Sequence, residues 1–520
     1  MSTVVEQPGG GITEAGRGGR GWLMAGIGLG AAALIGGGAY AAVHFLGSTG
    51  DQPDTVLPGD AAAYLRVDLD PSVGQKVAAV RFFQGLDPQA QARLESGEWR
   101  EYVWEKLTED GDVPADLDYA TDIEPWLGDR AGVAVLPNGE EEPLVAVAMQ
   151  VKDGEKALAT LDKIKASSAA ADTPADEQFG YYLDGDYVVL AKADQVEQVR
   201  AAAEQGTLED QEAFTSDMDD LGDAGVASFW MDVAKVAELE DVALDEAAEL
   251  GAGGAVTSGL TDEQKAMLSG RAAGALRLSP DAVEIHGLSH GYGGFSMPTA
   301  DGAQLVLDLP ADTAAAFSLE NGADWVQAVW DLYSSVDEDG VDSLVEEASA
   351  QGFTLPEDLK TVLGSSLVLS VGPGMVEAVE GMSQTETSLP QLPVAYRVQT
   401  DADRFSTLLQ DLGLPPNELA QRTDDGVLTL GLAQDYVDGV AAPQSRLGDD
   451  ATFGAAVADA DEAASVLFVN INEYEDRYLP MVEDEDARSA LERLAAVGWS
   501  TEVTGADTSR FTLRFVADGE

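Results

Sequence analysis

The chain has 520 residues, 45% of them hydrophobic and 24% charged, with no cysteine and three histidines. Lys and Arg number 29 against 94 Asp and Glu, a formal charge of −65 that repels nucleic-acid phosphates and anionic headgroups. Disulfides and a lipidated-cysteine anchor are excluded, a nucleic-acid role is disfavoured, and the apolar content is ample for packed domains.

Residues 1–20 read as a cytoplasmic tail carrying Arg17 and Arg20. From Gly21 to Gly47 the chain is uncharged, GWLMAGIGLGAAALIGGGAYAAVHFLG, and roughly 20 mostly apolar residues suffice to span a bilayer as a helix. Arginines before the run, with Asp51, Asp54 and Asp60 after it, place the N-terminus inside and the remainder outside. The expectation is a single-pass cell-membrane protein with a transmembrane helix at 21–47, a linker at 48–56 and an extracytoplasmic domain. The competing reading is a cleaved signal peptide, with Ala39-Tyr40-Ala41 as the cleavage site. Its apolar region would usually be roughly 7–15 residues, and cutting there would leave Ala42, Val43, Phe45 and Leu46 as an apolar terminus. The uncleaved anchor is the better reading. Gly26 and Gly30 form a G-x-x-x-G, which an Ala/Gly-rich span produces by chance.

The ectodomain repeats itself faintly. Leu57-Pro58-Gly59-Asp60 is echoed by Leu309-Pro310-Ala311-Asp312, and Leu127-Gly128 by Leu363-Gly364. Val145-Ala146 with Gln150 matches Val394-Ala395 with Gln399, and Asp184-Gly185 matches Asp425-Gly426. Phe214 before Ala227–Val233 matches Phe453 before Ser465–Ile471. The order is kept while spacings drift, as insertions in loops would cause. We therefore divide the ectodomain into repeat 1 at 57–290, a linker at 291–303 and repeat 2 at 304–520.

Within a repeat, Ala62–Val67 reads as a strand, and Val73, Val77, Val80 and Gln84 fall at helical spacing. So do Val326, Val329, Trp330 and Tyr333, whose aromatics are expected in the core. Gly154–Ser168 and Ala193–Glu204 read as helices, and Asp184-Gly185 as the turn of a tight hairpin. Ala234–Ser269 is helical by composition, broken by Gly251-Ala252-Gly253-Gly254. The fold class is α+β: two tandem, diverged repeats with mainly antiparallel sheets and helices on one face.

The LP-x-D-x-x-AYLRVDLDPS run, the WLGDRAGVAV segment and the FWMDVAKV strand resemble actinobacterial members of the DUF3352 family, whose function is unknown. The resemblance covers most of the ectodomain through packing signatures. It implies a membrane-attached envelope protein and supplies no site residues.

One motif carries a specific chemistry. Gly287-Leu288-Ser289-His290-Gly291 satisfies the G-x-S-x-G of a nucleophile elbow, which needs a helix straight after it and a general-base histidine later in the chain. Tyr292-Gly293-Gly294-Phe295-Ser296-Met297-Pro298 begins a helix poorly, and the histidines are His44, His286 and His290. A strand end running into the linker is the better reading. His286, His290 and Glu284 fall short of the three or four ligands zinc requires. Asp337-Glu338-Asp339-Gly340 with Asp342, and Asp217 with Asp219 and Asp220, lack the ligand ladder of an EF-hand and read as solvated acidic loops. No phosphate-binding glycine loop, dinucleotide fingerprint or Ser-x-x-Lys arrangement occurs. No catalytic, cofactor-binding or metal residue is assigned, and no cofactor.

Two functions remain. The first is a non-catalytic, membrane-tethered ligand- or partner-binding envelope protein, with a cleft between its repeats. Its carboxylates would admit cationic or neutral partners and reject polyanions, a preference that salt weakens. The alternative is an extracytoplasmic hydrolase using carboxylates or a metal. Topology is directly testable: protease added to intact spheroplasts should digest residues 48–520. Full protection would refute the orientation, and a soluble form starting near Ala42 would show cleavage.

Overall fold

The computed structural model describes residues 52–69, 117–139, 142–239 apart from 171–177, 269–291 apart from 280, and 296–518 apart from 301, 337, 382–390, 414–418, 483–487 and 489–491, together with 100, 101 and 104. The tail, the apolar run at 21–47, the helix expected at Val73–Gln84 and most of that expected at Ala234–Ser269 lie outside the described residues. Among the described residues no helix is long and apolar enough to cross a membrane.

Sixteen strands form one sheet. Those of the first half are β1 (Ala63–Asp68), β2 (Leu127–Leu136), β3 (Leu144–Val151), β4 (Phe179–Asp184), β5 (Tyr187–Lys192), β6 (Ala227–Asp232), β7 (Arg271–Leu278) and β8 (Ala282–His290). The second half supplies β9 (Ala315–Glu320), β10 (Ser366–Val371), β11 (Val394–Gln399), β12 (Ala420–Asp424), β13 (Val427–Gly431), β14 (Ser465–Asn470), β15 (Leu494–Gly505) and β16 (Thr508–Ala517). The order across the sheet is β12-β13-β11-β10-β9-β14-β15-β16-β8-β7-β6-β1-β2-β3-β5-β4. From the centre outward, each half runs through equivalent strands in the same order. The α+β class and the internal repeat therefore stand, but in one continuous antiparallel sheet rather than separate ones.

The halves meet edge to edge. β8 and β16 pair antiparallel from Ala282–Val516 to His290–Thr508, so the expected cleft between the repeats is replaced by a continuous sheet floor. Tracing equivalent positions through the ladders matches Glu284 with Arg510 and His286 with Thr512. His286 and Thr512 are themselves ladder partners, so a local pseudo-two-fold passes between them.

The sequence echoes are packing positions. Leu57 and Leu309 are both fully buried, and the N–H groups of Leu208 and Leu447 donate to their carbonyls at 3.0 and 2.7 Å. Pro58 bridges to Thr207 as Pro310 does to Arg446. Phe214 meets Trp230 edge-on at 5.6 Å, and Phe453 meets Phe468 edge-on at 5.1 Å. The hairpin match slips by one residue. The ladders pair Gly185 with Asp425 rather than with Gly426, because Tyr187 faces Gln150 as Val427 faces Gln399.

Helices cover both faces, correcting the one-sided expectation. On one face lie α2 (Val196–Ala203), α3 (Glu212–Leu221), α8 (Gln434–Ala441) and α9 (Ala451–Ala456), whose apolar residues join cores around Leu57 and Leu309. On the other lie α1 (Gly154–Ala170), α4 (Gly322–Val336), α6 (Glu357–Leu363) and α7 (Ala402–Asp411), with α5 (Glu338–Ala350) beside α4. Separate cores form beneath α1 and α7.

Gly287, the first glycine of the G-x-S-x-G motif, has a packing role. A Cβ there would lie 2.3 Å from Phe511 Cε1, as one on Gly274 would lie 2.5 Å from Phe229 Cε1. Each ring covers a neighbouring strand's glycine, removing apolar area from water without crowding. Gly287→Val should cost roughly 1–3 kcal/mol by overpacking, and Phe511→Leu in the same chain should recover part of it. Denaturant midpoints measure both, and an unchanged midpoint for Gly287→Val would reject the ring-on-glycine account.

Candidate functional site

The G-x-S-x-G serine sits in the body of a strand. Ser289 pairs with Ala272 on β7 and Ser509 on β16, and its Oγ lies 2.8 Å from Ser509 Oγ. There is no strained turn at the serine. His286 Nδ1 lies 3.1 Å from Thr512 Oγ1 at the pseudo-two-fold. Burial, with Arg277, Arg510 and Arg514 around it, holds its pKa below the ordinary histidine value. His290 belongs to another cluster, 3.6 Å from Asp217 and 3.9 Å from Asp220. The strand brings the two histidines to one face without making a common site.

Asp217, Asp219 and Asp220 are helical rather than in a solvated loop, all within α3. Asp217 is buried because it accepts from Arg271 Nε and Nη2 at 2.6 and 3.0 Å and from Trp230 Nε1 at 2.8 Å. Such a pair is tolerated in a core only when its charges and remaining hydrogen bonds are matched. In repeat 2 the corresponding positions are Ala456, Ala496 and Phe468, all buried in an apolar core. The second acidic cluster also differs from expectation, since Asp339, Gly340 and Asp342 lie in α5. Among the described residues no group of three metal-ligating side chains occurs.

Two buried acids occupy equivalent strand ends. Desolvation raises Asp68 against the attraction of Arg66 and Arg130. Glu320, which accepts from Ser366 Oγ at 2.8 Å, is pushed up to about 7 by burial. Repeat 1 supplies guanidinium groups here; repeat 2 supplies a hydroxyl.

The concave surface that sequence reasoning missed is a groove of about 760 Å³ beside the inter-repeat linker. Ser296–Thr299 form one wall, and Asp324, Gln327, Asp331 and Ser335 of α4 form the other, closed by Ala506 at the β15–β16 turn. The linker is pinned by the Met297 N–H donating to Ala506 O at 2.8 Å, and Met297 packs on Val503 and Trp325. Gln327 Nε2 donates to Asp331 Oδ1 at 2.6 Å, while Lys360 donates to Gln327 from behind and pairs with Glu357 at 3.0 Å. Among the described residues lining the groove there is no Lys or Arg. Asp324 and Asp331 are two turns apart, about 10.5 Å along the helix at 1.5 Å per residue. They cannot share one small cation, but they suit two separated positive groups. The legible signal was the polar spacing of Asp324, Gln327, Asp331 and Ser335 along one helix face. The apolar spacing of the same helix was read as core, yet Val329 and Tyr333 are 40% and 62% exposed.

A family model described as a protein of unknown function, DUF3352, matches residues 23–247. The match supports the family resemblance read from the sequence, but it runs from inside the apolar stretch to beyond β6, less of the ectodomain than that reading gave. No curated protein and no solved structure matches the chain.

Two outcomes follow from this geometry. Ser289→Ala loses the Oγ–Oγ contact with Ser509 between strands already laddered together, so it should shift stability by no more than about 1 kcal/mol; a larger loss in a thermal melt would give the serine another role. Glu320 titrates at about 7 when folded against 4.5 as its reference value. Its preference for the protonated folded form is fully present below pH 4.5 and is lost as pH rises through 7. Glu320→Gln should flatten that decline, on the order of 1–3 kcal/mol across this window. Unfolding titrations at pH 5 and 8 measure it, and an equal slope in the variant would reject the assignment.

Proposed function

We propose that the protein is a membrane-tethered, extracytoplasmic, non-catalytic partner-binding protein of the cell envelope. The tether is the uncharged run at 21–47 with arginines on one side and aspartates on the other. The observation that carries the binding role is the groove along the linker, lined by Asp324 and Asp331 with no Lys or Arg among its described lining residues, Lys360 behind Gln327 being paired with Glu357. Its carboxylates attract positive groups, and their separation along one helix favours recognition over paired acid–base chemistry, which needs convergent carboxylates. The partner is a cationic or neutral envelope component, and the field of a chain at −65 keeps polyanions away.

Trilysine titrated into the full chain in phosphatidylcholine nanodiscs tests this. Binding should weaken as salt rises from 0.05 to 0.5 M, an illustrative range of roughly threefold change in screening length. It should also fall several-fold in the double variant Asp324→Asn, Asp331→Asn. Equal binding by that variant would mean that trilysine reads only the diffuse charge of the molecule, and the groove would lose its role.

A further inference from the structure

On the face that carries α4, α6 and α7, one row of ladder partners is apolar in every strand except edge strand β12, where it begins at Gln421. From there it runs through Leu430, Tyr396, Leu369, Phe317, Leu467 and Trp499. Leu513, Ile285 and Leu276 carry it across the pseudo-two-fold into repeat 1. The ends are covered, Leu430 in the core beneath α7 and Leu276 against the core beneath α1. The middle is not: Leu369, Phe317 and Leu467 are 49%, 39% and 43% exposed.

The duplication supplies an internal control. The positions equivalent to Leu369 and Phe317 are Val133 and Leu65, which pack against the repeat 1 core. The same sheet face is thus covered in one repeat and open in the other. A contiguous exposed apolar patch on a folded domain marks an interaction surface.

We infer that this row is the docking surface for a basic amphipathic helix of a partner protein, a reading that rests on the partner-binding role proposed above. Size fits. From exposed Leu369, Phe317 and Leu467 through half-buried Trp499, Leu513 and Ile285 the row crosses six strands, β10 to β8, about 24 Å at 4.8 Å per strand, the length of a helix of roughly 16 residues. Charge fixes the sign. Every charged side chain from Asp281 to Asp358 is an Asp or Glu, histidines aside, a stretch that includes α4 and α5, and the cations of α6 and α7 are already paired, Lys360 with Glu357 and Arg404 with Asp358. A second copy of the chain would bring its own −65 against this acidic rim, whereas Lys or Arg flanking an apolar stripe would complement it.

The test uses the full chain in phosphatidylcholine nanodiscs, with empty discs as blank. The probe is a fluorescein-labelled 18-residue helix of Leu and Lys, with Leu at i, i+3, i+4 and i+7. Phe317→Lys and Leu467→Lys, and the milder Phe317→Ser and Leu467→Ser, should each raise Kd at least tenfold with unchanged melting. Leu183→Lys, at the far end of the same row in β4, should leave Kd unchanged. A scrambled Leu/Lys peptide should bind at least tenfold more weakly. Equal Kd across the row variants or for the scrambled peptide would overturn the inference, as would a dimer of the chain that Leu467→Lys dissolves. If the row variants bind normally while Asp324→Asn, Asp331→Asn does not bind trilysine, the partner-binding reading survives and this docking site does not.

Discussion

The ladder between β8 and β16 is the constraint on which the rest of the molecule depends. Each repeat alone would end in a long open strand, a row of unpaired N–H and C=O groups that invites association with other chains. Pairing equivalent strands about a local two-fold satisfies both edges at once. It also forces the faces of the repeats into one continuous surface, so a row of side chains begun in one half is continued in the other. A polar cross-axis contact reinforces the register: Arg514 Nε of β16 donates to Glu284 at 2.8 Å, a carboxylate that Arg277 Nη1 of β7 also approaches at 3.4 Å within repeat 1. A one-residue slip would send these groups to the opposite face, where Phe511 and Trp499 stack at 5.0 Å.

Sharing a fold has not meant sharing a core. Repeat 1 places Asp217, Arg271 and Trp230 in a buried hydrogen-bonded cluster where repeat 2 has Ala456, Ala496 and Phe468. It also places Arg66, Asp68 and Arg130 where repeat 2 has Ser318, Glu320 and Ser366. Apolar replacements of a buried ion pair are often as stable as the pair, so stability alone does not demand the charges. Removing one partner is different: an orphaned charge is expensive, and such clusters must change together. Divergence by whole clusters explains why the repeats keep strand order while individual matches are few.

The sequence carried the repeat through the positions that cannot vary freely. Leu57 and Leu309 were recognisable because each sits fully buried beside a bridging proline, and Leu127-Gly128 and Leu363-Gly364 because the first opens and the second precedes equivalent core strands. The hairpin match slipped because Asp-Gly is a turn signal at more than one register; only the ladder distinguishes Asp425 from Gly426. Helix α4 was legible as a helix and misread in its environment. Helical spacing of Val326, Val329, Trp330 and Tyr333 reports an amphipathic face, but not whether another element lies against it. The polar spacing along α4 was legible but the groove itself was not, since it needs the linker, α4 and the β15–β16 turn to meet. The elbow motif misled because a glycine demanded by Phe511 and a serine facing Ser509 mimic a spacing that nucleophile chemistry also requires.

On the proposed function, placement within the sheet separates attachment from recognition. The described chain enters the fold at Gln52, and Pro53 is seated against Gly132 of β2, where an added Cβ would lie 2.5 Å from the proline Cβ. The chain leading back to the apolar run therefore emerges at repeat 1. The most exposed part of the apolar row centres on Phe317 of β9, eight strands away in the order, about 38 Å along the hydrogen-bonding direction at 4.8 Å per strand. The linker groove lies at the same end, since α4 directly follows β9. β2 thus packs into cores on both faces, while the open groove and the exposed row lie in the repeat farther along the sheet. On the proposed function, a single repeat would not provide this separation, because the strand beside Pro53 and the exposed row would then be neighbours. Fusing two repeats through their edges leaves one half free to lose the cover that the other retains.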